Sequence, residues 1–109
     1  MKSKRAALRF KCMGERVRYK TAFEDGEAVL IDISTHGCAL SNMSVPVDEG
    51  EIMLIVIQLQ EQDAVIEMQA EVVRCTADTA ATRFTIAEKA TKLTIRTYFS
   101  QKMRVTIKG

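Results

Sequence analysis

Two short segments hold the side chains best suited to gripping a ligand. Arg5 and Arg9 stand four apart in Arg5-Ala6-Ala7-Leu8-Arg9, and Asp32, Ser34 and Gly37 fall within Asp32-Ile33-Ser34-Thr35-His36-Gly37. The planar fork of arginine grips a phosphate or the O6/N7 edge of a guanine with two parallel hydrogen bonds, and it also stacks on a base; the point charge of lysine does neither. An ionised Asp32 only accepts hydrogen bonds, so it suits a ligand that presents N–H donors. Ser34 adds a polar contact, and Gly37 a backbone that can turn and approach closely. Viewed alone, the second segment is equally well explained as an Asx or Ser turn that ends a strand. Catalysis needs converging acids, bases or nucleophiles, and the chain offers one histidine, His36, with no such constellation around it. We expect no enzyme, and an exposed loop position for His36.

The elements that must position these residues are mostly strands. Arg16 to Phe23 and Glu27 to Ile33 are rich in Val, Ile, Tyr and Thr and flank Glu24-Asp25-Gly26, which reads as a hairpin turn. Period-two alternation puts Val29, Ile31 and Ile33 on one face of the second strand, and Leu30, Asp32 and Ser34 on the other, with Asp32 and Ser34 pointing away from the core. Cys38 to Asn42 reads as a third strand, followed through Pro46 by a turn at Asp48-Glu49-Gly50. Ile52 to Leu59 is apolar on both faces, so it should be covered on both sides. Residues 64 to 75 alternate with Ile66, Met68, Ala70 and Val72 inward, and a last strand lies near Thr82 to Ile86. Six strands at hairpin spacing imply a mainly β fold, a closed six-stranded antiparallel β-barrel. In residues 88–103 the period changes, with Ile95, Phe99 and Met103 recurring every four residues beside Tyr98. That pattern predicts an amphipathic C-terminal α-helix packed against the barrel, over Ile52, Leu54 and Val56.

With 109 residues, 47% apolar and 28% charged, the chain has the size and composition of one folded domain. We divide it into a basic arm (1–14), a barrel (15–87) and a helix (88–103). Cys12, Cys38 and Cys75 are too widely spaced for a metal knuckle or a disulfide framework, so no metal site is expected and a reducing cytoplasm fits best. The longest apolar run, residues 52–57, is too short to insert in a membrane. Residues 1–20 carry a net charge of +7 and the other 89 residues −5, against +2 for the whole chain. The arm is therefore a local basic feature on an acidic body, and something anionic is expected to meet it.

Taken together and in order, Arg5-Ala6-Ala7-Leu8-Arg9 and Asp32-Ile33-Ser34-Thr35-His36-Gly37 resemble the RxxxR and D/NxSxxG signatures of the PilZ domain family. Val45-Pro46-Val47 before Gly50, Glu71-Val72-Val73-Arg74, and Arg83-Phe84 ahead of the helix also follow that family's course, so the likeness covers nearly the whole chain. The resemblance implies a cytoplasmic, stand-alone receptor for cyclic di-GMP that uses no cofactor and passes the signal to a downstream protein. It assigns ligand contacts to Lys4, Arg5, Arg9, Asp32, Ser34 and Gly37. The arginine arm would close over phosphate and base, and Asp32 would accept the N1–H and N2–H donors of guanine. Lys4, just before the first arginine, implies an intercalated ligand dimer. Motility, biofilm and exopolysaccharide formation, pilus assembly and virulence control all lie within what the family regulates.

The chain departs from the family pattern where glycine is common, with Cys38 after Gly37 and Ala81-Thr82 before Arg83. If either position needs a positive φ, the pocket would be reshaped. Two other readings stand beside the receptor. One is an interaction module of the same fold that binds no nucleotide. The other is a nucleic-acid-binding barrel with a basic arm, which would need paired exposed aromatics to stack bases, whereas Tyr19, Phe23 and Phe84 are expected to be partly buried.

Overall fold

The computed structural model describes residues 10–12, 14–59, 64–86 and 89–108. In chain order the elements are β1 (Phe10–Lys11), β2 (Arg16–Lys20), β3 (Asp25–Ile33), β4 (Gly37–Ser41), β5 (Ile52–Leu59), β6 (Ala64–Cys75), β7 (Ala80–Ile86) and α1 (Lys89–Lys108). Every strand pairing is antiparallel, in the order β1-β3-β2-β5-β6-β7-β4, and a further β3–β4 pairing returns the sheet to β3. Six strands, β2 to β7, thus close a barrel with α1 at the C-terminal end, as the sequence implies. The two-residue β1 is additional. It pairs with Asp32 and Ile33, and the bonds Cys12 N to Ile31 O (2.9 Å) and Leu30 N to Glu15 O (3.0 Å) carry the ladder on to β2, so β1 and β2 run along one edge of β3.

The expected alternation of β3 is broken by a bulge. Its register with β4 steps from Leu30↔Leu40 to Asp32↔Ala39, leaving Ile31 unpaired. Leu30 is buried and Ile31 exposed, the reverse of the simple alternation, and Ile33 is buried again beyond the bulge. A bulge inserts one residue, so the inward face changes parity where it occurs. The same step turns Ser34 into the protein at 2% exposure while Asp32 stays half-buried, so these two do not point outward together.

The β2–β3 hairpin turns earlier than the sequence implies. Thr21 closes it, its Oγ1 accepting from Phe23 N (3.2 Å) and Glu24 N (3.1 Å). Gly26 lies inside β3 and not in the turn, because the Tyr19 ring lies over it and occupies the space a Cβ would fill. Tyr19 is thereby buried, and its hydroxyl bridges both polar groups of Val45, donating to the carbonyl (2.5 Å) and accepting from the N–H (3.0 Å). Phe23, left at the tip of the shortened hairpin, is 85% exposed and not partly buried as expected.

The core is made of Val17, Leu30, Leu40, the inward row Met53, Ile55, Ile57 and Leu59 of β5, and Met68 and Val72 of β6. The helix reaches Lys108, beyond the expected end at 103; no proline or glycine interrupts the sequence before Gly109. Its buried stripe is Ile95, Tyr98 and Phe99, and the side chain of Met103 lies outside those described. This stripe does not lie over β5. Phe99 stacks on Phe10 of β1 with centroids 6.3 Å apart and packs edge-on to Tyr98 at 4.8 Å, while Ile52 and Leu54 are each 44% exposed. The aromatic ring of Phe10 offers more buried area than the flat aliphatic face of β5. Phe99→Ala should therefore cost about 3–5 kcal/mol of stability in urea denaturation, whereas Leu54→Ala should cost well under half as much.

Candidate functional site

The segment Asp32 to Gly37 is the β3–β4 connection, and its shape is set by hydrogen bonds within it. Ser34 N donates to Gly37 O (2.9 Å), and Ser34 Oγ accepts from His36 N (3.0 Å) while lying 3.5 Å from Gly37 O. His36 O accepts from Phe84 N of β7 at 2.7 Å, which braces the turn against the neighbouring strand, and the His36 side chain is exposed as expected. Ser34 is thus a buried turn-former, not a wall residue. Gly37 sits where β4 comes closest to β7, and a Cβ there would run into the carbonyl oxygen of Thr82. Its φ is not positive, so the glycine serves this close approach and not an unusual backbone conformation.

The registers of β3, β4, β7 and β6 align one outward row across the barrel wall: Asp32↔Ala39, Ala39↔Ala81, Ala81↔Arg74. Paired residues share a face, and the buried neighbours Cys38, Leu40, Ala80 and Thr82 fix the opposite, inward face. Ala39 and Ala81 therefore form a shallow floor between an acid at one end and an arginine at the other. Three inter-strand steps separate Asp32 from Arg74, roughly 14 Å. Arg83, one row along and paired with Gly37, is held by Glu71 in a 2.8 Å ion pair.

The sequence pointed to Asp32 as a candidate but did not show that Ala39, Ala81 and Arg74 share one surface with it. Their only sequence signal is strand alternation, and the bulges at Ile31 and Val73 shift the register that alternation alone would give. The two family departures prove compatible with the backbone. Among the described residues the only non-glycine with positive φ is Asn42 (52°), so neither Cys38 nor Ala81-Thr82 is strained. Cys38 and Thr82 face each other across the β4–β7 seam, with Sγ 3.4 Å from Oγ1, and Thr82 Oγ1 donates to Cys38 O at 3.0 Å.

Lys4, Arg5 and Arg9 lie outside the described residues. Their attachment point does not. Phe10, the next residue after Arg9, is held opposite Ile33, and Lys11 opposite Asp32. No group of three His, Cys, Asp or Glu side chains suited to a metal occurs among the described residues.

Because Gly37 is wedged against β7, Gly37→Ala should destabilise the protein by about 1–3 kcal/mol through overpacking. Ser34→Ala, which strands the His36 N–H, should cost a similar amount, about 1–3 kcal/mol. Chemical denaturation of the two variants beside the wild type measures both.

Comparison with known proteins agrees with this fold. The PilZ domain of YcgR from Escherichia coli, solved with c-di-GMP, superposes with a TM-score of 0.78 at 16% identity, covering 97% of this chain and 97% of that one. The Bacillus subtilis inhibitor of motility MotI/DgrA gives 0.76 at 17% identity, over 93% of this chain and 51% of that one. The PilZ domain of CeSA from a cellulose-synthesizing bacterium gives 0.68 at 17% identity, over 87% and 98%. No curated protein matches the chain by sequence. The family model described as PilZ domain matches residues 3–101, nearly the whole chain including both arginines and the Asp32–Gly37 turn, and the chain therefore belongs to the PilZ domain family.

Proposed function

We propose that this protein is a receptor for cyclic di-GMP, bound between the N-terminal arginine arm and the outward row Asp32, Ala39, Ala81, Arg74. The observation that carries this reading is the pairing of β1 with the end of β3. It holds Phe10, the residue after Arg9, opposite Ile33 and beside the Asp32–Gly37 turn, which supports a reading in which the two motifs, far apart in sequence, act on one ligand. Arg9 is one peptide bond from Phe10, and Arg5 at most about 18 Å from it along a fully extended chain. Both guanidinium groups can therefore reach a ligand seated on that row. The YcgR domain with c-di-GMP bound has the same fold, which supports the choice of ligand.

The chemistry of the row suits a purine. The two alanine methyl groups leave room for a flat base, and Asp32 accepts from guanine N1–H and N2–H at its edge. Arg74 closes the far end with a group that either stacks on the second base or forks a phosphate. Ser34 and Gly37 act by fixing the turn that presents Asp32. Lys4 beside the first arginine favours two intercalated ligands. Ordering of the arm then changes the surface offered to a downstream protein, a switch between disordered and ordered states. The reading assigns no catalysis and places the protein in the cytoplasm; no helix among the described residues is long and apolar enough to cross a membrane.

Calorimetric titration tests the assignment. Cyclic di-GMP should bind with two ligands per chain, and GMP, cyclic di-AMP and single-stranded RNA much more weakly, because adenine lacks the O6 acceptor and the N1–H and N2–H donors. Equal affinity for cyclic di-AMP refutes the proposed recognition.

Asp32→Ala and Arg9→Ala should each lose about 1.5–3 kcal/mol, roughly ten- to 150-fold in affinity, with little change in thermal stability. Arg9→Lys keeps the charge and loses the fork, so it should recover little. Wild-type affinity in Arg9→Lys would show that the arm acts by diffuse charge alone, and raising the salt concentration would then abolish binding.

A further inference from the structure

The outward face of β2, β5 and β6, on another part of the barrel wall from Asp32, is striped by chemical type. Arg16, Arg18 and Lys20 form an exposed basic row on β2. On β5, Ile52 and Leu54 are each 44% exposed and Val56 is half-buried, and on β6 Val65 is 45% exposed next to an exposed Glu67. The helix expected over the apolar row packs on Phe10 instead. The registers set Arg18, Val56 and Glu67 in one line across the three strands, and Lys20, Leu54 and Gln69 in the next. Among the described residues Arg16, Arg18, Lys20 and Glu67 make no ion pair, although Asp25 and Glu27 lie opposite Lys20 and Arg18 on β3. Glu71 of the same β6 row is engaged by Arg83. A groove of about 540 Å³ and an adjoining one of about 510 Å³ open over β2, and Arg18, Glu27, Ser44 and Val56 line both.

We propose that this face pairs with the same face of a second copy of the chain, in an isologous dimer whose two-fold axis runs parallel to β5. The basic row of β2 and Glu67 of β6, on either side of an apolar seam, meet between two copies under only one in-plane axis. Rotation about an axis parallel to the strands exchanges the two sides, so β5 lies on β5 and the β2 row meets the partner's β6 row. Height along the strand is preserved, which sets Arg18 over the partner's Glu67, twice per dimer, with the grooves over β2 receiving the β6 side chains. An axis across the strands would instead stack β2 on β2 and oppose like charges. The face spans three strands by about 20 Å, on the order of 300 Å² of footprint per protomer. A standard interface takes roughly 800 Å² from each partner, so the dimer is weak.

Sedimentation velocity on the full chain without nucleotide, over a range from about 5 μM to 1 mM at low salt, tests this independently of ligand binding; a weak, reversible self-association with its midpoint inside that range is expected. Arg18→Glu and Glu67→Arg should each raise the midpoint roughly tenfold or more, and the double reversal should restore it. Leu54→Ser should weaken the dimer whatever the charges. Thermal melts confirm that each variant is folded, and Glu67→Arg alone decides if Arg18→Glu fails to fold. A monomer throughout the range overturns the proposal, as do a dimer indifferent to both reversals and a double reversal that does not restore association.

Discussion

Closure of the barrel depends on β3 being shared by both ends of the sheet. Its first half pairs with β2 and its second half with β4, while β1 continues the β2 edge alongside Asp32 and Ile33. A strand that serves two edges of a small barrel must bend sharply, and the bulge at Ile31 supplies the bend. Everything distinctive about the candidate site follows from that bend. It keeps Asp32 on the outside, returns Ile33 to the core, and drives Ser34 into the turn where its hydroxyl is used by the backbone. Because β1 is part of the same ladder, Phe10 and Lys11 are held beside Ile33 and Asp32, next to the candidate site.

The second constraint is the β4–β7 seam, where the strands need small side chains. Gly37 admits the Thr82 carbonyl, and Cys38 and Thr82 satisfy each other inside. Ala39 and Ala81 keep the outside low. The residues that depart from the family's glycines are thus matched to one another across the seam. Bulk added to Ala39 or Ala81 would stand up from the floor between Asp32 and Arg74, whereas bulk at Gly37 would push the strands apart. On the proposed function the first kind of change would act on ligand access, and the second acts on stability.

Placement of α1 links the arm to the rest of the molecule. Phe10 is at once a residue of β1, a ladder partner of Ile33 and the ring on which Phe99 stacks. In the proposed receptor, a ligand gripped by the arm would therefore act next to the helix. The same choice by the helix leaves the aliphatic face of β5 exposed, between the basic row of β2 and Glu67 of β6.

The sequence alone determined the strand content, the closed six-strand barrel and the terminal helix, and it singled out Asp32 as a candidate. Those features are written in local periodicity and in two motifs whose residue types have few other uses together. It also placed Ile66, Met68, Ala70 and Val72 in the core, where β6 alternates without interruption. It could not place Ile31, Ser34 or Phe23, because a bulge and a side-chain-capped turn each shift the register by a residue or more without leaving a periodic trace. Nor could it bring Ala39, Ala81 and Arg74 beside Asp32, or send α1 to Phe10 and not to Leu54. Those are decisions between elements distant in the chain, settled by which strand edges close on one another and which apolar surface a helix buries best, and only the tertiary structure sets those two energies against each other.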